Sequence, residues 1–475
     1  MNPKTSSPSG GLASQIRERL ILQALERKAR GLEADFDASV PASHSREKWA
    51  DLECHPGYQR FQLIREGAAK IGVASPFFQE MESVSSATAV VGGRELVNFS
   101  GYNYLGLSGH PAVNAAAVAA MEKFGTSVSA SRIVSGERSL HRELEQALAQ
   151  VHGSEDAVVM VSGHATTVTT LGYLFGPRDL ILHDALIHNC AVEGAKLSGA
   201  KRLSFPHNDW ETLNQILHRC RGDHERVCII VEGLYSMDGD FPDLPKFLEV
   251  KHRHDALLMV DEAHSLGTLG VRGLGLGEHF GVDRSEVDIW MGTLSKSLAS
   301  CGGYIAGRRA LVENLKFSAP GFIYSVGMSP PLAAAALAAL RILLDEPERV
   351  ERLQRLSTLF LAKAKALGLD TGFAHGIAIV PAITGSSLKA ARLSHALRSR
   401  GINAQPILYP AVSEKSARLR FFLSCDHTPE LIEPVAEESL LVGAGHCQRE
   451  DPQDGDNDGQ NEHPQRRVRC LNSLS

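Results

Sequence analysis

Short runs of apolar residues alternate with longer segments of helical periodicity between about residues 110 and 310. The apolar runs are Ala157–Val161, Leu180–Leu182, Val227–Val231, Leu257–Val260 and Val287–Met291. Runs of this length are typical of buried strands, and strands that alternate with helices favour a largely parallel sheet. The pattern therefore predicts an α/β domain, in which ligands bind beyond the carboxyl ends of the strands.

The segments on either side of this domain have other patterns. Residues 14–36 combine apolar positions at helical spacing with many charges, which predicts an amphipathic helix, and we assign residues 1–75 to an N-terminal helical extension. The large domain would span residues 76–345, and its first segment would join a smaller α+β C-terminal domain of residues 346–443. Residues 444–475 are too polar to form a core and predict a disordered tail.

Composition and charge exclude several classes of protein. The chain has 475 residues and a formal net charge of -6, so it offers no overall basic charge for nucleic acid. Its eight cysteines form no CxxC pair, which argues against a structural zinc site or a disulfide framework, and we expect no metal site. No apolar segment is long enough to span a membrane and the start does not resemble a signal peptide, so we expect a cytoplasmic protein.

One lysine occupies an unusual place in this pattern. Lys296 follows the predicted strand Val287–Met291 and precedes the glycine pair Gly302 and Gly303. An isolated lysine between serines is usually an ordinary surface residue. A lysine that is partly removed from water at the end of a sheet has a lowered pKa, however, and can form a Schiff base with an aldehyde.

Other polar residues follow neighbouring strands. Asp261 could pair with the protonated nitrogen of a pyridine ring, and His264 could contact a phenolic oxygen of such a ring. Each has a simpler interpretation, Asp261 as a helix N-cap and His264 as a core histidine. The turn at Gly163 and His164 opens a predicted helix, where free backbone N–H groups can bind phosphate.

Further candidates come from hydroxyls and from a possible stacking ring. Ser236, Thr293 and Ser295 offer hydroxyls at strand ends, although such groups more often cap turns. His188 follows the strand Leu180–Leu182 and could stack on an aromatic cofactor. No single residue decides the matter, but independent coincidence at several strand ends is improbable.

At these residues the chain resembles the α-oxoamine synthases, pyridoxal-phosphate (PLP) enzymes of fold type I that include 8-amino-7-oxononanoate synthase and serine palmitoyltransferase. The resemblance covers about residues 77–437. Its most specific parts are Asn98–Leu107, Gly125–Gly136, Glu232–Asp240, Val260–His264, Gly292–Lys296 and Ala417–Arg420. The segment Gln405–Val412 looks most like members that are associated with polyketide synthases.

The resemblance implies a role for each candidate. Lys296 would form the Schiff base with the cofactor, Asp261 would pair with the pyridine nitrogen, His264 with the ring oxygen, and His188 would stack on the ring. The resemblance implies that Gly163 and His164 form the turn at the cofactor phosphate, and that Ser236 and Thr293 bind the cofactor through their hydroxyls. Ser325 would reach the phosphate of the neighbouring subunit of a homodimer. Residues implied at the substrate are Arg420, which would pair with the amino-acid carboxylate, and Tyr102, Asn103 and Ala411.

The resemblance also implies the reaction, a decarboxylating condensation of glycine, alanine or serine with an acyl thioester of coenzyme A or a carrier protein. Tyr102 and Ala411 replace an asparagine and a threonine of the oxononanoate synthases, which weighs against that substrate. Two alternatives stay open: an aminotransferase or aldolase of the same fold, and a non-catalytic partner subunit. The N-terminal helix could dock a carrier protein, or it could brace a dimer or be disordered.

Overall fold

The computed structural model describes residues 50–70 and 75–443 of the chain. The helix predicted over residues 14–36 and the tail predicted over residues 444–475 lie outside these ranges. The described helices are α1 (Pro56–Lys70), α2 (Pro111–Phe124), α3 (Ser139–Val151), α4 (Gly163–Leu174), α5 (Asn189–Ser198), α6 (Trp210–Cys220), α7 (Leu244–Arg253), α8 (Leu276–Phe280), α9 (Arg309–Ser318), α10 (Pro320–Ile323), α11 (Pro330–Asp345), α12 (Glu348–Ala366), α13 (Ser387–Ser399) and α14 (Pro429–Gly443).

The described strands form three sheets. In chain order they are β1 (Thr88–Val91), β2 (Arg94–Asn98), β3 (Asp156–Met160), β4 (Leu180–Asp184), β5 (Lys201–Phe205), β6 (Val227–Glu232), β7 (Leu257–Asp261), β8 (Ile289–Thr293), β9 (Gly303–Gly307), β10 (Ile379–Ile383), β11 (Ile402–Asn403), β12 (Gln405–Ile407) and β13 (Arg418–Phe422). The central sheet has seven strands in the order β3-β9-β8-β7-β6-β4-β5. All of its neighbouring pairs are parallel except the two that involve β9.

This sheet confirms the predicted α/β fold and the predicted strands. Its inner strands are buried on both faces, since every residue of β4 and β6 is buried. Helices cover both faces, which explains why these strands are continuous apolar runs instead of alternating ones. The carboxyl ends of β4, β6, β7 and β8 all lie at one edge, and there Glu232 is paired with Asp261, and Asp261 with Met291.

Two small sheets lie outside the central one, with the orders β1-β2-β11 and β10-β13-β12. In the first sheet, β2 near the start of the described chain pairs in parallel with β11, about three hundred residues later. An aromatic cluster packs beside both sheets, because Phe99 contacts Phe360, Phe421 and His427. The early segment therefore packs with the C-terminal part of the chain, while the proposed domain boundaries at residues 75, 345 and 443 remain predictions.

The long helix predicted over Pro331–Asp345 is present as α11, which begins one residue earlier at Pro330. Nine of its residues are buried, mostly alanines, and this allows close packing against α2 and α3. Among the helices of residues 50–70 and 75–443, none is both long enough and apolar enough to span a membrane.

We predict that Gly292→Ala destabilises the fold at the strand that leads to Lys296. Gly292 faces Tyr304 across the β8–β9 pair, and a Cβ at residue 292 would overlap the Tyr304 ring. The ring cannot move freely, because its hydroxyl is hydrogen-bonded to His152 at 2.8 Å. We expect a loss of about 1–3 kcal/mol in the free energy of unfolding. Urea denaturation measures it, and Gly222→Ala, where a Cβ meets no atom within 4 Å, is the matched control.

Candidate active site

Lys296 lies just beyond the carboxyl end of β8 and opens onto a cavity of about 210 Å³. The residues that line this cavity come from the ends of β3, β4, β6, β7 and β8: Ser162, Gly163, His164, His188, Cys190, Glu232, Asp261, Ala263, His264, Met291, Thr293, Ser295 and Lys296. The structure therefore brings together most of the residues that the sequence analysis proposed for a cofactor.

The environment of Lys296 changes its protonation. Burial lowers the pKa of this lysine to about 8, although the negative charges of Asp261 and Glu232 act in the opposite direction. The Nζ atom lies 5.8 Å from the ring centroid of Tyr102, which faces the amine. A substantial fraction of Lys296 is thus neutral near physiological pH, the form that acts as a nucleophile and as a base.

Asp261 is the last residue of β7 and is 6% exposed. Its Oδ1 atom accepts a hydrogen bond of 2.9 Å from the Ala263 amide. Burial raises the pKa of Asp261, and the nearby charge of Lys296 offsets part of that shift. Asp261 thus binds a backbone amide, as an N-cap residue would, but the segment after it is a turn and no helix follows directly. Its carboxylate also faces the cavity, so it can receive a positively charged partner.

Glu232 is a buried member of the site that the sequence analysis did not single out. It ends β6, beside Asp261, and accepts hydrogen bonds from the amides of His188 at 2.7 Å and Ser236 at 3.4 Å. Burial raises the pKa of Glu232 to about 8, with a further contribution from the charge of Asp261. An acidic residue at the end of an otherwise apolar run was the signal in the sequence.

His264 lies on the turn after Asp261 and is also buried. Its Nδ1 atom is hydrogen-bonded to the Tyr104 hydroxyl at 2.8 Å. Burial lowers the pKa of His264 well below its ordinary value, and it raises that of Tyr104 well above its own, so both groups are neutral. Tyr102 packs edge-on against the His264 ring, with centroids 5.9 Å apart.

His188 is held in one tautomer by the start of α5. Its Nδ1 atom accepts a hydrogen bond of 3.2 Å from the Cys190 amide, so this nitrogen carries no proton and the neutral ring bears its hydrogen on Nε2. The Cys190 thiol lies 2.9 Å from the same nitrogen. Burial raises the pKa of Cys190 to about 12 and lowers that of His188. His188 therefore presents an uncharged ring at the cavity. Cys190 was not proposed from the sequence.

The start of α4 forms the side of the cavity that lies nearest β3. Ser162 is the N-cap of this helix, and the amides of Gly163 and His164 follow it. The first amides of a helix have no partner within it and can bind an anion. A Cβ at residue 163 would lie 2.8 Å from the Thr293 hydroxyl, so glycine lets the helix start approach β8 closely.

Arg420 lies on β13, over the ring of Phe422 at 4.6 Å, and its Nη1 atom donates to the Ser236 carbonyl at 3.0 Å. Burial lowers its pKa. Within the described part of the chain it forms no ion pair with a carboxylate, and its Nε atom is buried without a hydrogen bond. The neighbouring Arg418, in contrast, pairs with Asp238 at 2.6 Å.

Six of the proposed residues do not line the cavity: Tyr102, Ser236, Arg420, Asn103, Ala411 and Ser325. Asn103 uses its side chain to bind the backbone of Ser85 and Ser108, which gives it a structural task in the fold. Ala411 is exposed on the turn after β12. Ser325 lines a separate small recess with Arg132 and Gly327. Their roles in binding therefore stay predictions.

Comparison with known proteins shows the family to which the chain belongs. The family described as aminotransferase class I and II matches residues 94–438. The chain is 37% identical to 8-amino-7-oxononanoate synthase from Symbiobacterium thermophilum over 80% of its length and 97% of that protein. It is 34% identical to a serine palmitoyltransferase from Bacteroides ovatus over 76% of its length and 91% of that protein.

Solved structures agree with these relatives. The structure of Sphingomonas wittichii serine palmitoyltransferase superposes with a TM-score of 0.79 at 28% identity, covering 83% of this chain and 98% of that one. A serine palmitoyltransferase structure with a PLP internal aldimine gives the same TM-score at 30% identity. The chain belongs to the aminotransferase class I and II family, which has the fold-type I architecture. Within it, the chain is a member of the α-oxoamine synthases, the PLP-dependent acyltransferases of that fold.

We predict that Asp261→Asn lowers the pKa of Lys296 below about 8, because the Asp261 carboxylate of the native chain favours the protonated amine and the substitution removes its charge. Each unit of that shift raises the neutral fraction about tenfold at pH well below the pKa. Reductive methylation of the cofactor-free chain across pH, followed by peptide mass spectrometry, measures the reactivity of Lys296. Lys196 on the surface is the internal control, and an unchanged pH profile at Lys296 would contradict the prediction.

Proposed function

We propose that the protein binds PLP at Lys296 and condenses a small amino acid with an acyl thioester, releasing carbon dioxide and a thiol. The α-carbon of the amino acid forms a bond to the acyl carbon, the thiol leaves with the electrons of the thioester bond, and the carboxyl group departs as carbon dioxide. The observation that carries this proposal is that two side chains occur together. Lys296 has a lowered pKa, and Arg420 is a buried arginine without a carboxylate partner within the described residues.

The residues that surround the cavity fit PLP. The Lys296 amine would hold the cofactor covalently, and the free amides at Gly163 and His164, with the Thr293 hydroxyl, suit a phosphate. The Asp261 carboxylate suits a protonated ring nitrogen, and the neutral rings of His188 and His264 suit stacking and a hydrogen bond to the ring oxygen. When bound, PLP supplies an electron-accepting ring that stabilises negative charge on the α-carbon of an amino acid.

The side chains of the protein then divide the remaining work. Lys296, with its pKa near 8, can remove the proton from the α-carbon and later return it. Arg420 would hold the carboxylate of the amino acid, as its five donors suit that group. The hydrogen on Nε2 of His188 can donate to a substrate oxygen without adding a charge. The Ser236 hydroxyl, beside the Arg420 contact, would complete the cofactor contacts.

The substrates are proposed as classes. Glycine, alanine or serine is small enough for the chemistry, and the acyl group would arrive on coenzyme A or on a carrier protein. The relatives are named for two different reactions, 8-amino-7-oxononanoate synthase and serine palmitoyltransferase. They support the type of reaction and do not favour one particular acyl chain. We also propose, from the resemblance of Gln405–Val412, that the acyl group derives from a polyketide, and that the N-terminal extension helps to bind a carrier protein.

A homodimer is part of this proposal. Ser325 lies apart from the Lys296 cavity, as expected if it serves the phosphate of a second subunit. Its neighbours in the chain are large apolar side chains that are exposed, with Tyr324 85% exposed and Val326 49% exposed. Exposed apolar side chains that lie side by side are a feature of surfaces at which another chain binds.

The proposal predicts turnover in a matrix of amino acids and acyl thioesters. Purified protein reconstituted with PLP should release thiol and carbon dioxide in equal amounts with at least one pair of substrates. Lys296→Ala, which removes both the covalent attachment and the base, should reduce turnover by at least about 10²–10⁴-fold. Transamination with a keto acid, or aldol cleavage without any thioester, would instead support the alternative of an aminotransferase or aldolase.

Arg420→Met tests the carboxylate partner. We expect KM for the amino acid to rise by roughly thirtyfold or more, since loss of one member of a buried charge pair costs about 2–5 kcal/mol. The KM for the acyl thioester should change little. Steady-state kinetics with each substrate varied in turn measure both constants. An equal effect on the two substrates would argue that Arg420 acts on the fold and does not contact the amino acid.

A further inference from the structure

A second group of ionisable side chains lies outside the cavity, where three loops meet at the same edge of the central sheet. His207, in the loop after β5, is bonded through Nδ1 to Oδ1 of Asp184 at 2.9 Å and through Nε2 to Oδ2 of Asp240 at 2.8 Å. Asp184 is 0% exposed and Asp240 is 4% exposed. We call this arrangement, Asp184–His207–Asp240, the His207 bridge.

A charged ring satisfies both contacts. A neutral imidazole has one N–H group, so its other nitrogen would point a lone pair at a carboxylate oxygen. A doubly protonated ring donates to both carboxylates. Burial alone would lower the pKa of His207, but the hydrogen bonds to Asp184 and Asp240 raise it to about 10. Tyr235 also faces the ring, edge-on with the two ring centroids 4.5 Å apart, and its raised pKa keeps it neutral.

Each end of the bridge belongs to a loop that carries a site residue. Asp184 begins the turn to His188 and fixes it by accepting a hydrogen bond of 2.7 Å from the Leu186 amide. Asp240 closes the loop that bears Ser236, because its carbonyl accepts a hydrogen bond of 2.8 Å from the Tyr235 amide.

The same two loops are joined on the cavity side by another residue. The Glu232 carboxylate accepts from the amides of both His188 and Ser236. Glu232 thus connects the loops beside the cavity, and His207 connects them farther away. Two separate links between the same loops restrict their relative position more than either link alone.

We propose that His207 is a positioning residue that is charged at neutral pH and holds the His188 loop and the Ser236 loop at the separation that the cavity requires. The His207 bridge is a property of the fold, whereas the inference that it positions residues of a PLP site rests on the proposed function. His207 does not line the cavity, so it acts through the two loops.

The raised pKa gives the bridge a distinct pH dependence. A group whose pKa is raised on folding stabilises the fold fully below its unfolded value of about 6.5, and this stabilisation is lost as pH rises through the folded value of about 10. A histidine that contributes only by packing would show no such loss in this range.

We test the bridge with His207→Gln, which keeps a polar side chain but cannot carry charge. The matched control is His254→Gln at the end of α7, where Nε2 is hydrogen-bonded to the neutral side chain of Asn214 through its oxygen, at 2.9 Å. Melting temperatures of the full chains are compared from pH 7 to pH 10.5. The gap in melting temperature between wild type and His207→Gln should be largest near pH 7 and should narrow steadily as the pH rises to about 10, whereas the gap for His254→Gln should stay constant.

The positioning role has its own readout, the affinity of the cofactor-free chain for PLP, followed by visible absorbance. Residues that orient contacting groups are often worth about 10–100-fold in affinity at metal sites, and we expect a loss of about tenfold in His207→Gln with little change in His254→Gln.

Each outcome has a separate meaning. A melting gap that does not vary with pH overturns the charged bridge. A gap that narrows while PLP affinity is unchanged overturns the positioning role. Failure of the wild-type chain to bind PLP refutes the proposed function, and the melting comparison still decides whether the bridge exists.

Discussion

The site depends on one constraint, the removal of Lys296 from water beside two buried carboxylates. Desolvation favours the neutral amine, while Asp261 and Glu232 favour the charged one, and the balance leaves a pKa of about 8. A fully exposed lysine would remain protonated and unreactive near neutral pH. A buried lysine without these carboxylates would be neutral but would lack the anion that suits a protonated ring. Both properties require that adjacent parallel strands end at one edge.

That edge also explains how residues from distant parts of the chain act together. β4, β6, β7 and β8 contribute His188, Glu232, Asp261 and Lys296, and their register places the strand ends in line. The loops beyond the strands are then held by hydrogen bonds to carboxylates, with Glu232 on the cavity side and the His207 bridge farther away. Buried carboxylates thus serve in two ways, as electrostatic partners of a reactive group and as acceptors that fix the surrounding backbone.

Arg420 presents the reverse case, a buried positive charge that the fold leaves without a carboxylate partner among the described residues. The fold holds it over Phe422 and against the Ser236 carbonyl, but it supplies no carboxylate among the described residues. A buried guanidinium without an anion costs free energy, and a substrate carboxylate would recover that cost on binding. Arg418, two residues away on the same strand, reaches the same loop, but there it meets the Asp238 carboxylate, whereas Arg420 meets the Ser236 carbonyl.

The sequence by itself determined the α/β class, the central strands and the identity of Lys296, Asp261, His264 and His188 as candidates. Apolar runs and the polar residues that end them are local features, readable without a structure. Only the tertiary structure decided that Glu232 and Cys190 belong to the site, that Asn103 binds backbone, and that His207 lies between Asp184 and Asp240. These relations depend on which strands become neighbours and where each loop folds back, and no local pattern specifies contacts between residues so far apart in the chain.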